Sequence, residues 1–334
     1  MNENASWNCR LAEYRNPDNW RGSVELTVTL LPFAILWMVM SIVSQRSYWA
    51  SLILAIPAAG FLVRLFMIQH DCGHGSMFSG RAANDWVGRC LAVLTLTPYD
   101  HWRQSHAHHH ASSSNLDRRG IGDITTLTVK EFLALDGWGR LKYRLYRHPL
   151  VMFGFGPTYL FVIRNRFPNG PARARDWLST MTTNIVIALL VALMVIWLGW
   201  SHFLAIHGPI TLIAASIGIW LFYVQHQFED TLWVDKSGWT QEAAALRGSS
   251  YYRLPQPLAW FTANIGLHHI HHLSSRIPFY RLPDVLRRCP ELEQVTSLTL
   301  PESLRCVNLA LWDEDSQRLV PFRAIKSQPH PHKL

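Results

Sequence analysis

Residues 48–74 read YWASLILAIPAAGFLVRLFMIQHDCGH, an apolar run that ends in two histidines four residues apart. The first part, residues 48–69, is 22 residues long and carries one charge, Arg64. An α-helix needs about 20 such residues to cross about 30 Å of hydrocarbon. This stretch therefore predicts a membrane-spanning helix that delivers His70 and His74 to one membrane surface.

The composition agrees with a membrane protein. The chain has 334 residues, of which 16% are charged and 49% are hydrophobic. A typical soluble domain has about 25% charged residues, and a disordered chain is poor in apolar residues, so both classes are excluded. The net charge of +8 does not require nucleic acid as a partner, because the cytoplasmic face of a membrane protein carries a similar excess. The five cysteines form no CxxC pair, which argues against a disulfide framework or a zinc ribbon.

Three further stretches have the length and composition of membrane spans. Together with the stretch at 48–69 they form two closely spaced pairs, with His207-Gly208-Pro209 as the expected turn between the third and the fourth span. The sequence therefore predicts an all-α integral membrane protein with four transmembrane helices in two hairpins. The expected spans are residues 24–44, 48–69, 184–206 and 209–228.

Lysine and arginine gather in three segments, 1–23, 70–183 and 229–334, which hold 29 of the 31 basic residues. Basic residues concentrate on the cytoplasmic side of membrane proteins, so both termini and the middle segment are expected there. No cleaved signal peptide is expected. The single expected domain, 1–334, then has a cytoplasmic helical cap built from 70–183 and 229–327, followed by a disordered tail at 328–334.

Histidine occurs 17 times and forms three clusters. Residues 70–74 contain HxxxH, and residues 106–110 and 268–272 each contain HxxHH. Positions i, i+3 and i+4 of a helix share a face, so each cluster would aim its imidazoles at one point. His226 lies at the same membrane surface, near the end of the fourth span. The nine candidate metal ligands are His70, His74, His106, His109, His110, His226, His268, His271 and His272.

Nine imidazoles are too many for one metal ion, because a catalytic zinc commonly has three protein ligands and a water. Two metal ions would use all nine. Imidazole suits zinc, copper, iron and nickel, so the ligand type does not choose the metal. His108 and His269 fall off the shared helix faces and are not expected to bind. A surface tract that binds zinc adventitiously is disfavoured, because the same spacing recurs.

Carboxylates often orient the imidazoles of a metal site. Four acidic residues lie close to the clusters in sequence. They are Asp71, Asp123, Glu229 and Asp230. No catalytic residue beyond the metal ligands is expected.

A redox metal pair at a membrane surface suits the activation of O₂ against a C–H bond of a lipid. Such bonds have no acidic proton or leaving group, so the oxidant must come from the cofactor while the protein positions the chain. A hydroxylase or ketolase with a similar site is one alternative. A metal transporter or sensor is another, but a transporter places ionisable residues near the middle of its spans, and only Arg64 lies there.

Four segments resemble the membrane fatty-acid desaturases. They are HDCGH at 70–74, WRQSHAHHHASSSNLDRRGIGDI at 102–124, LFYVQHQFED at 221–230 and NIGLHHIHHLSSRIPFYRLP at 264–283. The resemblance covers nearly the whole chain and points to the bacterial acyl-lipid desaturases. The end segment LWDEDSQRLVPFRAIK, 311–326, is most similar to the delta-5 acyl-lipid desaturases of bacilli.

This resemblance implies a non-haem diiron centre, with two iron ions per chain held by the nine histidines. It implies insertion of a cis double bond into saturated acyl chains of membrane phospholipids, with O₂ and two external electrons. Delta-5 regiospecificity is expected, with delta-9 or delta-12 as alternatives. The chain has no HPGG segment of a fused cytochrome b5, so a separate ferredoxin or flavodoxin is the expected electron donor. The expected location is the bacterial inner membrane, and the oligomeric state stays open.

Overall fold

The computed structural model describes residues 7–168 and 172–325, so the expected tail at 328–334 lies outside the described residues. Most described residues are helical, as predicted. The α-helices are α1 Trp7–Arg10, α2 Asn19–Val43, α3 Tyr48–His74, α4 Arg81–Leu94, α5 Tyr99–Ser112, α6 Val129–Ala134, α7 Gly137–Tyr146, α8 Gly156–Val162, α9 Ala174–Leu198, α10 Trp200–His226, α11 Gln241–Arg247, α12 Gln256–Phe261, α13 His268–Leu273, α14 Leu282–Arg288 and α15 Leu300–Ser303. The strands are β1 Leu127–Thr128, β2 Tyr251–Arg253, β3 Ser297–Thr299, β4 Leu309–Asp313 and β5 Arg318–Pro321.

Within the described residues, four helices are long and apolar enough to cross a membrane, which confirms the predicted number of spans. They are α2, α3, α9 and α10, each of 25 to 27 residues. Helices α2 and α3 pack against each other, and α10 packs against α3 and α9. Their outward-facing surfaces carry large apolar side chains, such as Ile196, which is 82% exposed. Such exposure is expected of helices that face acyl chains.

The turn between the third and fourth long helices lies eight residues earlier than predicted. Helix α9 ends at Leu198, Gly199 makes the turn with φ +79° and ψ 156°, and α10 begins at Trp200. The expected turn residue Pro209 instead lies inside α10. Proline interrupts helices in water, but membrane helices tolerate it because neighbouring groups satisfy the freed carbonyl. The expected spans 184–206 and 209–228 are therefore wrong in their boundaries.

The charge inside the second span has a buried partner. The Arg64 guanidinium pairs with the Glu25 carboxylate of α2, and its Nε donates to Thr29 Oγ1 at 3.1 Å. It also lies 4.0 Å from the centre of the Trp260 ring, which belongs to α12. A buried charge is costly unless it is paired and hydrogen-bonded, and Arg64 meets both conditions. These contacts tie α2, α3 and α12 together.

Residues 75–168 and 227–325, called the head region below, contain two small sheets in addition to helices. Strand β4 pairs with β1 in parallel and with β5 antiparallel, and β2 pairs with β3 in parallel. A purely helical region was expected, but strands of two to five residues are too short to give a periodic signal. The first sheet joins the segment before α9 to the segment after α10, so the two halves of the head region form one unit.

Candidate metal centre

The nine histidines expected as ligands lie together, in two groups. In each group, one ligand atom from every residue lies within 4.8 Å of all the others. The groups adjoin, because the rings of His110 and His272 stack with their centres 4.2 Å apart. The first group is His70, His74, His106, His110 and His271, and the second group is His109, His226, His268 and His272.

Four helices supply these side chains. The last turn of α3 carries two of them, α5 and α13 carry three each, and His226 is the final residue of α10. The HxxHH clusters were expected to aim at one point each, but both divide between the groups. On α5, His109 belongs to the second group and His110 to the first. Consecutive helical residues point about 100° apart, so neighbouring histidines can serve two adjacent centres.

Hydrogen bonds fix one nitrogen of several rings. His226 Nδ1 lies 2.9 Å from the Gly248 carbonyl oxygen, which can only accept, so Nδ1–H donates. His70 Nδ1 lies 3.0 Å from Asp71 Oδ1, and His109 Nδ1 contacts the Asp123 carboxylate. The Gly248 carbonyl places the proton of His226 on Nδ1, and an ionised carboxylate accepts from Nδ1–H in the other two rings. The Nε2 lone pair then remains available for a metal ion.

The Nε2 atoms face one another at short range. His110 Nε2 lies 3.1 Å from His106 Nε2 and 3.0 Å from His271 Nε2 in the first group. His226 Nε2 lies 3.1 Å from His109 Nε2 in the second. A convergent set of nitrogens at this spacing suits a cation held between them.

Buried nitrogens without partners support the same conclusion. Among the described residues, His74 Nε2 and His272 Nε2 are buried and have no hydrogen-bond partner. An unsatisfied buried polar atom is costly, and a metal ion would satisfy both. Burial also lowers the pKa of five of the candidate ligands on α5 and α13 well below the usual value, so these imidazoles stay neutral and able to bind a metal. The five are His106, His110, His268, His271 and His272.

The loop after α5 packs closely against that helix at Gly122 and so brings Asp123 to the second histidine group. Gly122 has φ +75°, and a Cβ at this position would lie 2.8 Å from the Ser105 carbonyl oxygen and 3.3 Å from His109 Cβ. Only glycine fits this position without a shift of the loop. Asp123 therefore reaches His109 because the residue before it has no side chain.

Two of the four acidic residues expected near the imidazoles lie elsewhere. Glu229 and Asp230 are exposed, and their carboxylates pair with Arg318 at 3.6 Å and 3.3 Å. Helix α10 ends at His226, and the chain turns away at Gln227 with φ −115° and ψ 66°. Sequence proximity to His226 was therefore misleading, and the expectation for this pair is wrong.

Sequence reasoning also missed two contacts of the site. The Gly248 carbonyl is a backbone atom and leaves no signal in the sequence. The Trp102 ring stacks on His106 with centres 4.7 Å apart and planes 13° apart. Its position four residues before His106, one turn of α5, could have indicated this contact.

The two histidines expected not to bind lie outside both groups. His108 is half-buried, and its Nδ1 lies 3.1 Å from Ser112 Oγ of the same helix. His269 is fully buried beside the Tyr251 ring. Burial lowers the pKa of His269 to about 4.

The fold and the site define a helical membrane protein with two adjacent histidine groups that can hold metal ions. Residues 47–298 match the model of the fatty acid desaturase family, and the chain belongs to this family of oxidoreductases. A fatty acid desaturase of Bacillus subtilis (strain 168) is 45% identical over 320 residues, which cover 96% of this chain and 91% of that protein.

More distant relatives come from cyanobacteria and plants. An sn-1 acyl-lipid omega-3 desaturase (ferredoxin) of Synechocystis sp. is 29% identical over 65% of this chain and 61% of that protein. An endoplasmic reticulum omega-3 fatty acid desaturase of Vigna radiata is 29% identical over 69% of this chain and 62% of that protein. The chain thus matches about three fifths of the length of these two relatives.

Proposed function

We propose that this fatty acid desaturase acts on acyl chains of membrane phospholipids and inserts a cis double bond, with O₂ and two external electrons. The observation that carries this proposal is the pair of adjacent histidine groups at the ends of α3 and α10. Both helices are long enough to span a membrane, so the groups would meet acyl chains close to the surface. Family membership supplies the reaction class.

Each histidine group would hold one iron ion, giving two per chain. The donor set fits iron, and the desaturase family agrees with that choice. Bound iron would supply the O₂-dependent oxidation that removes two hydrogens from adjacent carbons. The nine histidines would serve as ligands, and Asp71 and Asp123 would orient the rings of His70 and His109.

The protein itself would contribute positioning and the exclusion of water. Most of the nine imidazoles are buried, so the protein would keep solvent water away from the reacting carbons. The Gly248 carbonyl and the two aspartates fix the rings before the substrate arrives, which lowers the cost of reaching a productive geometry.

We further propose a bacterial inner membrane location, with two helical hairpins and with both termini and the head region in the cytoplasm. The clustering of basic residues outside the spans supports this orientation. The electron donor would be a separate ferredoxin or flavodoxin. The name of the Synechocystis relative, which mentions ferredoxin and acyl lipid, supports the donor and the substrate class.

Expression in a host with saturated phospholipids tests the proposal. The expected result is a cis-unsaturated acyl chain on phospholipid, with the double bond mapped by mass spectrometry of derivatised esters. We expect the double bond at delta-5, and a delta-9 or delta-12 product would revise the regiospecificity alone. His271→Ala is the matched inactive control, since it removes one ligand of the first group. A hydroxylated or ketonic product would contradict the desaturase assignment.

A further inference from the structure

A surface cavity of about 510 Å³ lies at the start of α2, between the N-terminal segment and helix α14. Cavities that hold small ligands have volumes of roughly 300–1,000 Å³, so this one is large enough. It does not include any of the nine histidines. Its walls carry three arginines and two tyrosines, Arg21, Arg281, Arg288, Tyr14 and Tyr280.

The cavity lies at the same end of the long helices as the histidine groups. The first residue of α2, Asn19, exchanges hydrogen bonds of 2.8 Å with Ser79, which follows the histidine end of α3. Trp20 is 78% exposed at this helix end, as is typical of an aromatic residue at a membrane–water interface. In a membrane spanned by α2 and α3, the cavity therefore lies at the level of lipid headgroups.

Two of the three arginines have no carboxylate partner. Arg21 pairs with Glu25 at 2.7 Å. Among the described residues, no carboxylate lies within ion-pair distance of Arg281 or Arg288. Unpaired guanidinium groups in one cavity favour an anionic ligand, above all one with the planar oxygen pairs of a phosphate.

The acidic residues of the cavity have other roles. Asp18 caps helix α2, because its Oδ1 accepts from the backbone N–H of Trp20 and Arg21 at 2.9 and 3.1 Å. Asp284 pairs with Arg287. Glu13 is exposed, and its carboxylate interacts with the Tyr14 hydroxyl. Among the described residues, none of the three carboxylates forms an ion pair with Arg281 or Arg288.

The cavity wall is connected to the first histidine group. Tyr280 Oη accepts from the backbone N–H of Asp18 at 2.9 Å. The preceding residue, Phe279, donates its backbone N–H to Asp71 Oδ2 at 2.7 Å, and Asp71 Oδ1 contacts His70. A ligand in the cavity is thus held at a fixed position relative to the histidines.

We propose that this cavity binds the phosphodiester of a membrane phospholipid and holds the lipid whose acyl chain is desaturated. Arg281 and Arg288 bind the phosphate oxygens. This inference rests on the proposed function, because it assigns the headgroup of that same substrate. It makes the phosphate a determinant of substrate preference.

The test compares two lipids with identical acyl chains, dipalmitoylphosphatidylglycerol and dipalmitoylglycerol, in detergent micelles with the iron-loaded full chain and its electron donor. The wild type is expected to have a KM about tenfold lower for the phospholipid, as the loss of one charged hydrogen-bonding group predicts. Arg281→Gln and Arg288→Gln each raise that KM several-fold and bring the KM ratio of the two lipids towards one. Arg305→Gln, an exposed arginine outside the cavity wall, has the same charge change and keeps the ratio.

Native mass spectrometry of retained phosphatidylglycerol gives a second readout that needs no turnover. Retention is expected to fall in Arg281→Gln and not in Arg305→Gln. Equal KM values for the two lipids in the wild type, or unchanged retention in Arg281→Gln, would overturn the inference. Retention that depends on Arg281 without turnover of either lipid would instead contradict the proposed function alone. Arg281-dependent binding of inorganic phosphate, with phospholipid retention independent of Arg281, would assign the cavity to free phosphate and also overturn it.

Discussion

At the residue scale, the site depends on which nitrogen of each imidazole is hydrogen-bonded to the protein. Nδ1 of His226 donates to a backbone carbonyl, and Nδ1 of His70 and of His109 faces a carboxylate. The rings are therefore oriented by the protein before a metal ion binds. Partners of this kind commonly change metal affinity by about 10–100-fold, which makes them testable.

Asp123→Ala is expected to weaken iron binding in the second group by about 10–100-fold, because the His109 ring loses its anchor. The measurement is iron retained per chain across a series of chelator concentrations. Glu229→Ala is the matched control, since this carboxylate is exposed and pairs with Arg318. Equal iron retention in the two variants would contradict the role given to Asp123.

His269→Ala is expected to keep two iron ions but to lower the free energy of unfolding by about 1–3 kcal/mol, because a fully buried side chain is removed. His108 on α5 is half-buried, so His108→Ala should change iron content and the free energy of unfolding little. Iron content and denaturant unfolding measure the two effects. Loss of iron from His269→Ala at normal stability would show that this residue is a ligand.

The sequence predicted which histidines come together because their spacing matches the helical repeat. The nine lie in two groups, and His108 and His269 lie outside them. The partners were harder to predict. Glu229 is three residues from His226 and faces solvent, whereas Gly248 is 22 residues away and accepts its hydrogen bond. Such contacts depend on the path of the chain, which local pattern does not encode.

At the element scale, the long apolar helices contain internal prolines, which helices of water-soluble proteins rarely tolerate. Pro32, Pro57 and Pro209 all lie inside long helices. The sequence pattern around Pro209 indicated a turn, because proline ends helices in water. The turn instead occurs at Gly199, whose positive φ with extended ψ is a conformation that is almost exclusive to glycine.

Gly199→Ala is expected to lower the free energy of unfolding by roughly 1–3 kcal/mol, the cost of a side chain in this backbone region. Gly208→Ala is the matched control, since Gly208 lies inside α10 with no atom near its would-be Cβ. This control should be neutral or slightly stabilising, because alanine is the better helix former. Unfolding in detergent measures the free energy of unfolding of both variants. A larger loss of stability in Gly208→Ala than in Gly199→Ala would contradict the turn at Gly199 and favour one at 207–209.

The small sheets of the head region lie beyond sequence prediction for a different reason. Strand β1 has two residues and pairs with β4, about 180 residues later in the chain. Neither strand is long enough to show an alternating pattern. The pairing arises from the packing of the two halves of the head region, which only the folded chain reveals.

At the scale of the whole molecule, charge and histidine are distributed alike. The segments 1–23, 70–183 and 229–334 hold 29 of the 31 basic residues. All nine histidines of the two groups lie at the corresponding ends of α3 and α10 or in the head region. The excess of +8 thus fits one face of a membrane enzyme rather than a nucleic-acid surface.

Thiol labelling tests the orientation. Cys9 and Cys90 are exposed and belong to the end of the molecule that we place in the cytoplasm. A membrane-impermeant maleimide should label both in inverted vesicles and neither in intact spheroplasts. Ser201→Cys, at the opposite end of α10, should show the reverse. Labelling of Cys90 in intact spheroplasts would contradict the proposed orientation.

The most direct test of the central claim is a titration of the purified metal-free chain with iron, read as unsaturated phospholipid formed. O₂, saturated phospholipid and a reduced electron donor are present throughout. If the two histidine groups hold the iron ions of a desaturase, product formation rises until about two iron ions are bound per chain and then stays constant. Full activity at one iron ion per chain, or no unsaturated product at two, would contradict the claim.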